Sequence, residues 1–220
     1  MYKGILLDLD NTLYEYEPLH TIAYNKQVEY LESNFSLSKL EINKAFEQAK
    51  QRVKNNLIGT AASHNRLLYA QVCCEILSIN PLELSLKLYN IYWDTFLEHL
   101  SLSEGAIKML NKHAHLPICL ITDLTAHIQH RKINRLKLSQ WVDHVVTSEE
   151  AGHEKPHPYI FQLALKKLNL SPSEVCMIGD NYDKDAQGAK SLGIHAYVLT
   201  DKQTAEEGIT AVSNLGDIKW

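Results

Sequence analysis

Residues 3–14 read KGILLDLDNTLY, an apolar strand-like run that ends in two carboxylates and a threonine. Asp8 and Asp10 are two residues apart. Side chains at that spacing on a strand share one face, so both carboxylates would occupy one small space. Like charges that close are costly unless a cation lies between them or one carboxyl is protonated. The pattern therefore predicts metal binding, acid–base chemistry or nucleophilic chemistry, although Asp-x-Asp also occurs in ordinary turns.

Two further apolar runs end in reactive residues, and one lysine precedes a predicted helix. Residues 117–121 are followed by Thr122 and Asp123, and a third run is followed by Asp180. Lys155 lies just before a helical pattern. Open α/β sheets bind their ligands at the carboxyl ends of parallel strands. The three strand ends and the lysine therefore fit a single site.

Taken in order, these segments resemble the haloacid dehalogenase superfamily, in its phosphatase branch with an α-helical cap. The matching motifs are Asp8-Leu9-Asp10-Asn11-Thr12, Thr122, Lys155-Pro156, and Gly179-Asp180 with Asp185 five residues later. The resemblance covers the whole chain. It implies an α/β fold with a Rossmann-like parallel sheet core, helices on both faces and an inserted α-helical cap domain.

The resemblance also implies roles for the acids. Asp8 is the expected nucleophile, which forms an aspartyl-phosphate. Asp10 is the expected acid that protonates the leaving oxygen and then acts as a base toward water. That role needs a carboxyl that can be protonated near neutral pH, and crowding by other carboxylates is expected to favour this. One Mg²⁺ is expected between side-chain oxygens of Asp8 and Asp180, with the backbone carbonyl of Asp10 as a further ligand.

Phosphate binding is expected from Thr122, Asp123 and Lys155. Asp123 stands where relatives often carry Asn, and we expect its carboxylate to turn away from the phosphate. Thr12 and Asp185 are expected to support these groups from behind, with Asp185 orienting Lys155 or a metal-bound water. Two smaller departures are Asn11, where many relatives have Gly, and the extra acid Asp183, interpreted as a solvated turn residue.

Residues 15–98 carry no strand-like pattern and are too long for a loop inside a compact domain. Ser38 and Glu41 form a capping-box pattern, and Asn80 with Pro81 is typical of a helix start. Apolar residues follow helical spacing at Ile42, Ala45, Phe46, Ala49 and Val53, and at Leu82, Leu86, Tyr89, Trp93, Phe96 and Leu100. The sequence thus predicts a helical cap over 15–98.

The remaining residues, 1–14 and 99–220, are predicted to form the α/β hydrolase core, because strand and helix patterns alternate there. Besides the three runs already described, residues 144–147 and 196–199 are predicted strands. The region 208–216 is predicted to consist of turns.

Composition excludes several function classes. The net charge of −4 argues against a nucleic-acid partner. The basic run 131–137 is interpreted as the solvated face of a helix, because Ile128, Ile133 and Leu136 would form its inner face. No run has the length of a membrane span or the layout of a signal peptide. Four cysteines lack zinc or redox spacing, so a cytoplasmic protein is predicted.

Eleven histidines are present. The pairs His113/His115 and His127/His130 are interpreted as exposed residues, because neither pair has further metal ligands nearby in sequence.

The sequence therefore predicts a Mg²⁺-dependent phosphatase of a small phosphate monoester, of the nucleotide or sugar phosphate class. Three alternatives stay open: a sugar phosphomutase, a haloacid dehalogenase, and a non-catalytic binding module. Asp10 argues against the dehalogenase, and the intact motifs argue against the binding module. Substrate choice is expected in the cap, where His64 and Arg66 lie in a polar cluster that could equally be a helix start. The oligomeric state is not predicted.

Overall fold

The computed structural model describes residues 1–202 and 206–219. The chain divides into two compact units, a core unit of residues 1–15 and 101–220 and a helical unit of residues 16–100. The sequence predicts these boundaries after residues 14 and 98. Each unit is described by itself below.

The core unit is built on one parallel sheet of six strands. The strands are β1 Gly4–Leu7, β2 Ile118–Thr122, β3 His144–Thr147, β4 Val175–Gly179, β5 His195–Leu199 and β6 Ile209–Val212, in the order β3-β2-β1-β4-β5-β6. Every residue of β1, β2 and β4 is buried, which explains why these segments read as continuous apolar runs. The predicted Rossmann-like α/β core is confirmed.

The prediction for residues 208–216 is wrong in part, because β6 lies inside this region. It pairs with β5 at the edge of the sheet, with Ala196 opposite Ile209. Only Ile209 in this strand is fully buried. A four-residue edge strand flanked by Gly208 and a polar segment has too short an apolar pattern to be distinguished from a turn.

Nine α-helices accompany these strands in the described residues. They are α1 Tyr16–Asn34, α2 Lys39–Asn56, α3 Arg66–Ile76, α4 Pro81–His99, α5 Glu104–Lys112, α6 Ala126–Arg135, α7 Ser148–Ala151, α8 Pro158–Leu168 and α9 Gly188–Lys190. Short 3-10 segments occur at Ala61–His64, Leu138–Gln140, Pro172–Glu174 and Leu215–Asp217, and a π-helical segment at Tyr182–Gln187 precedes α9. None of the helices described is both long and apolar enough to cross a bilayer.

The helical unit follows the predicted start signals. Ser38 and Glu41 form both halves of the capping box at α2, and Asn80 caps α4 with Pro81 in its first turn. The predicted inner face of α4 is wrong at its first turns, since Leu82 and Leu86 are exposed. The buried residues there are instead Leu84 and Leu88, whereas Trp93, Phe96 and Leu100 are buried as predicted. Both stripes have helical spacing, and only packing against α1 and α3 selects one of them.

The chain leaves and re-enters the core unit at one place. The backbone N–H of Ser103 donates to the carbonyl of Leu13 at 3.0 Å. Ser103 then caps α5 through its hydroxyl. At the other end of α5, His113 is buried rather than exposed as predicted, whereas His115, His127 and His130 are exposed.

Candidate active site at the carboxyl edge of the sheet

Sheet register brings the motif residues together. β1 lies between β2 and β4, and Leu7 is paired with Leu120 on one side and with Ile178 on the other. The chain therefore emerges from three neighbouring parallel strands at the same edge. Asp8, Thr122 and Asp180 lie at this edge because each closely follows or ends a buried strand.

A cluster of three acids and one lysine forms the centre of the site. Asp8, Asp180 and Asp185 each offer a carboxylate oxygen, and these atoms lie within 4.8 Å of one another. Lys155 Nζ donates to Asp8 Oδ1 at 2.6 Å and to Asp185 Oδ1 at 2.7 Å. The Thr12 hydroxyl donates to Asp8 Oδ2 at 2.8 Å and lies 3.4 Å from Asp180 Oδ1. All but Asp180 are buried.

The acid cluster carries more negative charge than its one lysine can balance. Burial raises the pKa of Asp8 to about 8; Lys155 opposes the shift, while Asp185 and Asp180 add to it. Burial and Asp185 likewise raise the pKa of Asp180 to about 6. Burial lowers the pKa of Lys155, but Asp185 and Asp8 outweigh it and place that pKa well above its usual range. One lysine does not balance three carboxylates, so the site is suited to a further cation.

Local backbone geometry explains why Asp185 can reach this cluster. β4 ends at Gly179, where an added Cβ would lie 2.3 Å from Asp185 Oδ2. Asp185 Oδ2 accepts a hydrogen bond from the backbone N–H of Asn181 at 3.0 Å. Only glycine at position 179 therefore allows the carboxylate to lie against the strand end. Asp183 is exposed and stands outside the cluster.

Asp123 connects two parts of the site. Its carboxylate accepts from the backbone N–H of Lys155 at 3.0 Å and from Lys184 Nζ at 2.7 Å. Its backbone carbonyl accepts from Gln129 Nε2 at 2.6 Å, and the same amide lies 2.6 Å from the Thr122 hydroxyl. The carboxylate is thus occupied by one cationic donor and one backbone donor.

Asp10 has a different environment from the one expected. Lys132 Nζ donates to its Oδ1 at 2.6 Å, Gln129 Nε2 donates to its Oδ2 at 3.0 Å, and the Tyr14 hydroxyl also donates to this carboxylate. Burial raises the pKa of Asp10, but Lys132, Tyr14 and Gln129 together lower it below its usual value. The expectation of a raised pKa is therefore wrong here, because the other acids crowd Asp8 and not Asp10.

Lys132 is the residue that sequence reasoning misplaced. The sequence predicts a solvated face for the run 131–137, yet the Lys132 side chain is fully buried. Ile128 and Lys132 on α6 and Leu136 directly after it lie at intervals of four, and all three are buried. A lysine in the middle of an apolar helical stripe was the available signal, since a buried ammonium needs an anionic partner.

The structure separates the two predicted specificity residues. Arg66 begins α3, donates to the Tyr16 hydroxyl, and places its guanidinium 4.6 Å from the ring centre of Tyr92. It also lines a cavity of about 340 Å³ within the helical unit. His64 ends the preceding 3-10 segment and does not line this cavity. Asn65 caps α3, with its side chain accepting from the Leu67 N–H.

His20 in the same unit should make stability depend on pH. Its Nδ1 lies 2.8 Å from the Tyr92 hydroxyl, and burial, Arg66 and Lys50 lower its pKa from 6.5 to about 4. Between these values the unfolded chain binds a proton that the folded chain does not. The free energy of unfolding should therefore fall as pH drops from about 6.5 to about 4. Thermal unfolding of wild type and His20→Gln, near neutral pH and near pH 5, measures this effect.

We expect a smaller acid-induced decrease in melting temperature for His20→Gln than for wild type. His144→Gln is the matched control, because His144 is exposed at the start of β3. An equal decrease in all three proteins would contradict the assignment.

Comparison with known proteins finds a matching family and several relatives of this chain. The family described as haloacid dehalogenase-like hydrolase matches residues 2–193. A ribulose-1,5-bisphosphate 5-phosphatase from Halopiger xanaduensis is 33% identical over 94% of this chain and 88% of its own length. A glyceraldehyde 3-phosphate phosphatase from Methanocaldococcus jannaschii is 31% identical over 88% of this chain and 83% of its own.

Solved structures agree on the fold. A 2-haloacid dehalogenase from Pseudomonas syringae pv. Tomato superposes with a TM-score of 0.76 at 20% identity, covering 98% of this chain and 96% of that one. A HAD phosphatase from Thermococcus onnurineus superposes with a TM-score of 0.73 at 20% identity, covering 97% and 94%. Similarity at this level supports the fold and leaves the choice of reaction to the site residues.

Proposed function

The chain belongs to the haloacid dehalogenase-like hydrolase family, and from this premise we propose that it is a Mg²⁺-dependent phosphatase of a small sugar phosphate. The observation that carries the proposal is Asp8 within the acid cluster, paired with Lys155, with Asp10 two residues further on. The names of the two relatives above, which act on ribulose 1,5-bisphosphate and glyceraldehyde 3-phosphate, support the sugar phosphate class.

The proposed reaction has two steps. In the first, an Asp8 oxygen attacks phosphorus, the ester P–O bond breaks, and Asp10 gives its proton to the leaving alcohol oxygen. In the second, Asp10 takes a proton from water, whose oxygen attacks the phosphorus of the aspartyl-phosphate and releases Asp8 and phosphate. Lys155 and Thr122 would hold the phosphoryl oxygens, with the ammonium offsetting their charge.

Mg²⁺ fits the donor set. Three carboxylates within 4.8 Å of one another, two with raised pKa values, form an oxygen-only site that lacks positive charge. Such donors suit Mg²⁺ better than Zn²⁺. We propose Asp8 and Asp180 as its side-chain ligands, with the Asp10 carbonyl; Asp185 already accepts from Lys155 and would support them. When bound, the ion would neutralise charge on the nucleophile and on the phosphoryl group.

Removing divalent cations should abolish phosphate release and restoring Mg²⁺ should recover it, because the acid cluster and a phosphate dianion repel one another without a cation. Ca²⁺ should inhibit, since its larger and looser coordination shell would let Asp8 bind in a geometry that does not attack. Mg²⁺ should also raise the melting temperature of the substrate-free protein. Full turnover in excess chelator would contradict the metal assignment.

Lys132 is proposed to set the protonation of Asp10. With Lys132 in place, Asp10 has a lowered pKa, so the ionised form that the second step requires predominates and the first step draws on the minor protonated form. Lys132→Met removes the buried charge, so the pKa of Asp10 should rise. The descending limb of the pH profile of kcat/KM, which reports the acid of the free enzyme, should move to higher pH on an alkyl phosphate.

The shift expected for Lys132→Met is about one pH unit or more, because one unit corresponds to about 1.4 kcal/mol and charge-assisted hydrogen bonds are worth about that. Arg135→Met on the same helix is the control, since Arg135 is exposed. An unchanged pH profile of kcat/KM in Lys132→Met would show that other groups set the pKa of Asp10.

One assay separates the proposed reaction from its alternatives. Wild-type protein is incubated with a panel of sugar phosphates, nucleoside monophosphates and a 2-haloacid, and free phosphate, isomerised sugar phosphate and halide are measured. Phosphate release from a sugar phosphate supports the proposal. Isomerised product would indicate a mutase, halide a dehalogenase, and no turnover of any member a binding module.

We also propose a small-molecule partner and a cytoplasmic location. The net charge of −4 supports a small-molecule partner rather than a nucleic acid. All four cysteines are buried and free of disulfides, which supports a reducing, cytoplasmic location.

A further inference from the structure

The cavity of the helical unit contains charged and polar groups that no step of the proposed reaction uses. It has a volume of about 340 Å³, at the small end of the range for metabolite pockets. Its lining residues are His20, Tyr24, Gln27, Asn43, Phe46, Glu47, Lys50, Arg66 and Tyr69. All of them belong to the helical unit.

The charge of this cavity is positive. Lys50 and Arg66 are its cations and Glu47, which is exposed, is its anion. Among the described residues Lys50 has no ion-pair partner. The lowered pKa of His20, caused by burial and by both cations, reports the same positive field.

Arg66 is held in a fixed position. Its guanidinium lies 4.6 Å from the ring centre of Tyr92 and 5.4 Å from that of Tyr69, as in cation–π contacts. It donates to the Tyr16 hydroxyl, which lies 3.0 Å from the Tyr92 hydroxyl, which in turn lies 2.8 Å from His20 Nδ1.

The cavity wall therefore offers donors for an anionic group, polar atoms for hydroxyls and aromatic rings for the C–H groups of a ligand. Arginine and lysine bind phosphate and carboxylate through charge-assisted hydrogen bonds. Asn43 Oδ1 accepts from the Tyr24 hydroxyl at 2.7 Å, and its amide N–H groups can donate to a ligand. Gln27 Nε2 donates to the Leu88 carbonyl at 2.9 Å, so Gln27 Oε1 and the Glu47 carboxylate are the acceptors for ligand hydroxyls. The rings of Phe46 and Tyr69 supply apolar area for C–H faces.

We propose that this cavity is a binding site for a small anionic polyol, a sugar phosphate or sugar acid, whose anionic group is held by Lys50 and Arg66. Such a ligand has two sources: the substrate of the proposed phosphatase, or a separate metabolite that binds the helical unit alone. The first source rests on the proposed function, whereas the binding itself does not.

The test uses full-length Asp8→Asn protein, which cannot consume the ligand, titrated calorimetrically with ribose 5-phosphate. Adding Lys50→Met should weaken binding about tenfold or more, as expected for loss of a charge-assisted hydrogen bond. Adding Arg66→Met should weaken binding to a similar extent. If Arg66→Met fails to fold because it disturbs the aromatic network, Lys50→Met alone still decides the test. Lys44→Met, an exposed lysine on the same helix, should bind as the parent does.

Kinetics of the proteins with Asp8 intact separate the two sources. A KM for ribulose 1,5-bisphosphate that rises in Lys50→Met by about tenfold relative to that for 4-nitrophenyl phosphate would identify the ligand as substrate. Weakened calorimetric binding with an unchanged ratio of the two KM values would identify a separate metabolite. Equal binding by all variants, or none by the parent at millimolar ribose 5-phosphate, would overturn the proposal.

Failure of the two proposals can be told apart. If wild type releases no phosphate but Lys50→Met weakens binding, the pocket stands and the phosphatase does not. If wild type releases phosphate but Lys50→Met leaves binding unchanged, the phosphatase stands and the pocket does not.

Discussion

Asp8→Asn is expected to lower the rate of phosphate release by about 10⁴-fold or more, the scale of losing the nucleophile in a two-step hydrolase. The amide keeps the shape of the side chain but cannot form the aspartyl-phosphate. The fold should survive, because Asp8 is crowded by Asp180 and Asp185 and the substitution removes repulsion. Phosphate release and the melting temperature without metal measure both effects, and the latter should be unchanged or higher.

Acid-quenched wild-type protein should carry its phosphoryl group on Asp8, as shown by mass spectrometry of the peptide that contains residues 3–14. Asp183→Asn, an exposed acid outside the cluster, is the matched control and should keep wild-type activity. Phosphorylation of any other residue, or substantial turnover by Asp8→Asn, would disprove the assignment.

Lys155→Met is the second substitution with a large expected effect. It should slow turnover by about 10²- to 10³-fold, the usual cost of removing one preorganised group that stabilises developing charge. Lys155 is also the buried partner of both Asp8 and Asp185, so its removal leaves two carboxylates without their cation. The metal-free protein should therefore lose stability, by about 3 kcal/mol or more for a broken buried pair.

Mg²⁺ should restore part of that stability without restoring activity, because the ion relieves repulsion but does not replace the ammonium on the phosphoryl oxygens. Lys3→Met is the control, since Lys3 pairs with Glu174 on the surface and such pairs contribute little. A variant with near wild-type turnover would remove Lys155 from the reaction.

The sequence was most informative where chemistry follows a buried strand. β1, β2 and β4 are continuous apolar runs because both of their faces are covered, and their parallel order makes the strand ends converge. Position along the chain was therefore enough to place Asp8, Thr122 and Asp180 at one edge. Gly179, at the end of β4, has no side chain and therefore leaves room for the Asp185 carboxylate.

Other features could not be predicted from the sequence because they depend on contacts between distant segments. Asp10 and Lys132 are far apart in sequence, and the periodicity of α6 shows only that Lys132 faces inward, not which acid it meets. The inner face of α4 was ambiguous because leucines occupy two overlapping helical stripes. β6 is stabilised by its pairing with β5 and has little apolar pattern of its own.

The hydrogen bond from Ser103 N–H to Leu13 carbonyl has an evolutionary consequence. Because this hydrogen bond joins the points where the chain departs and returns, the segment between them can change length with little added entropic cost to the sheet. Substitutions in the proposed binding cavity of residues 16–100 would then accumulate without disturbing the proposed nucleophile. A lineage can in this way diversify its substrates while its hydrolytic machinery is inherited intact.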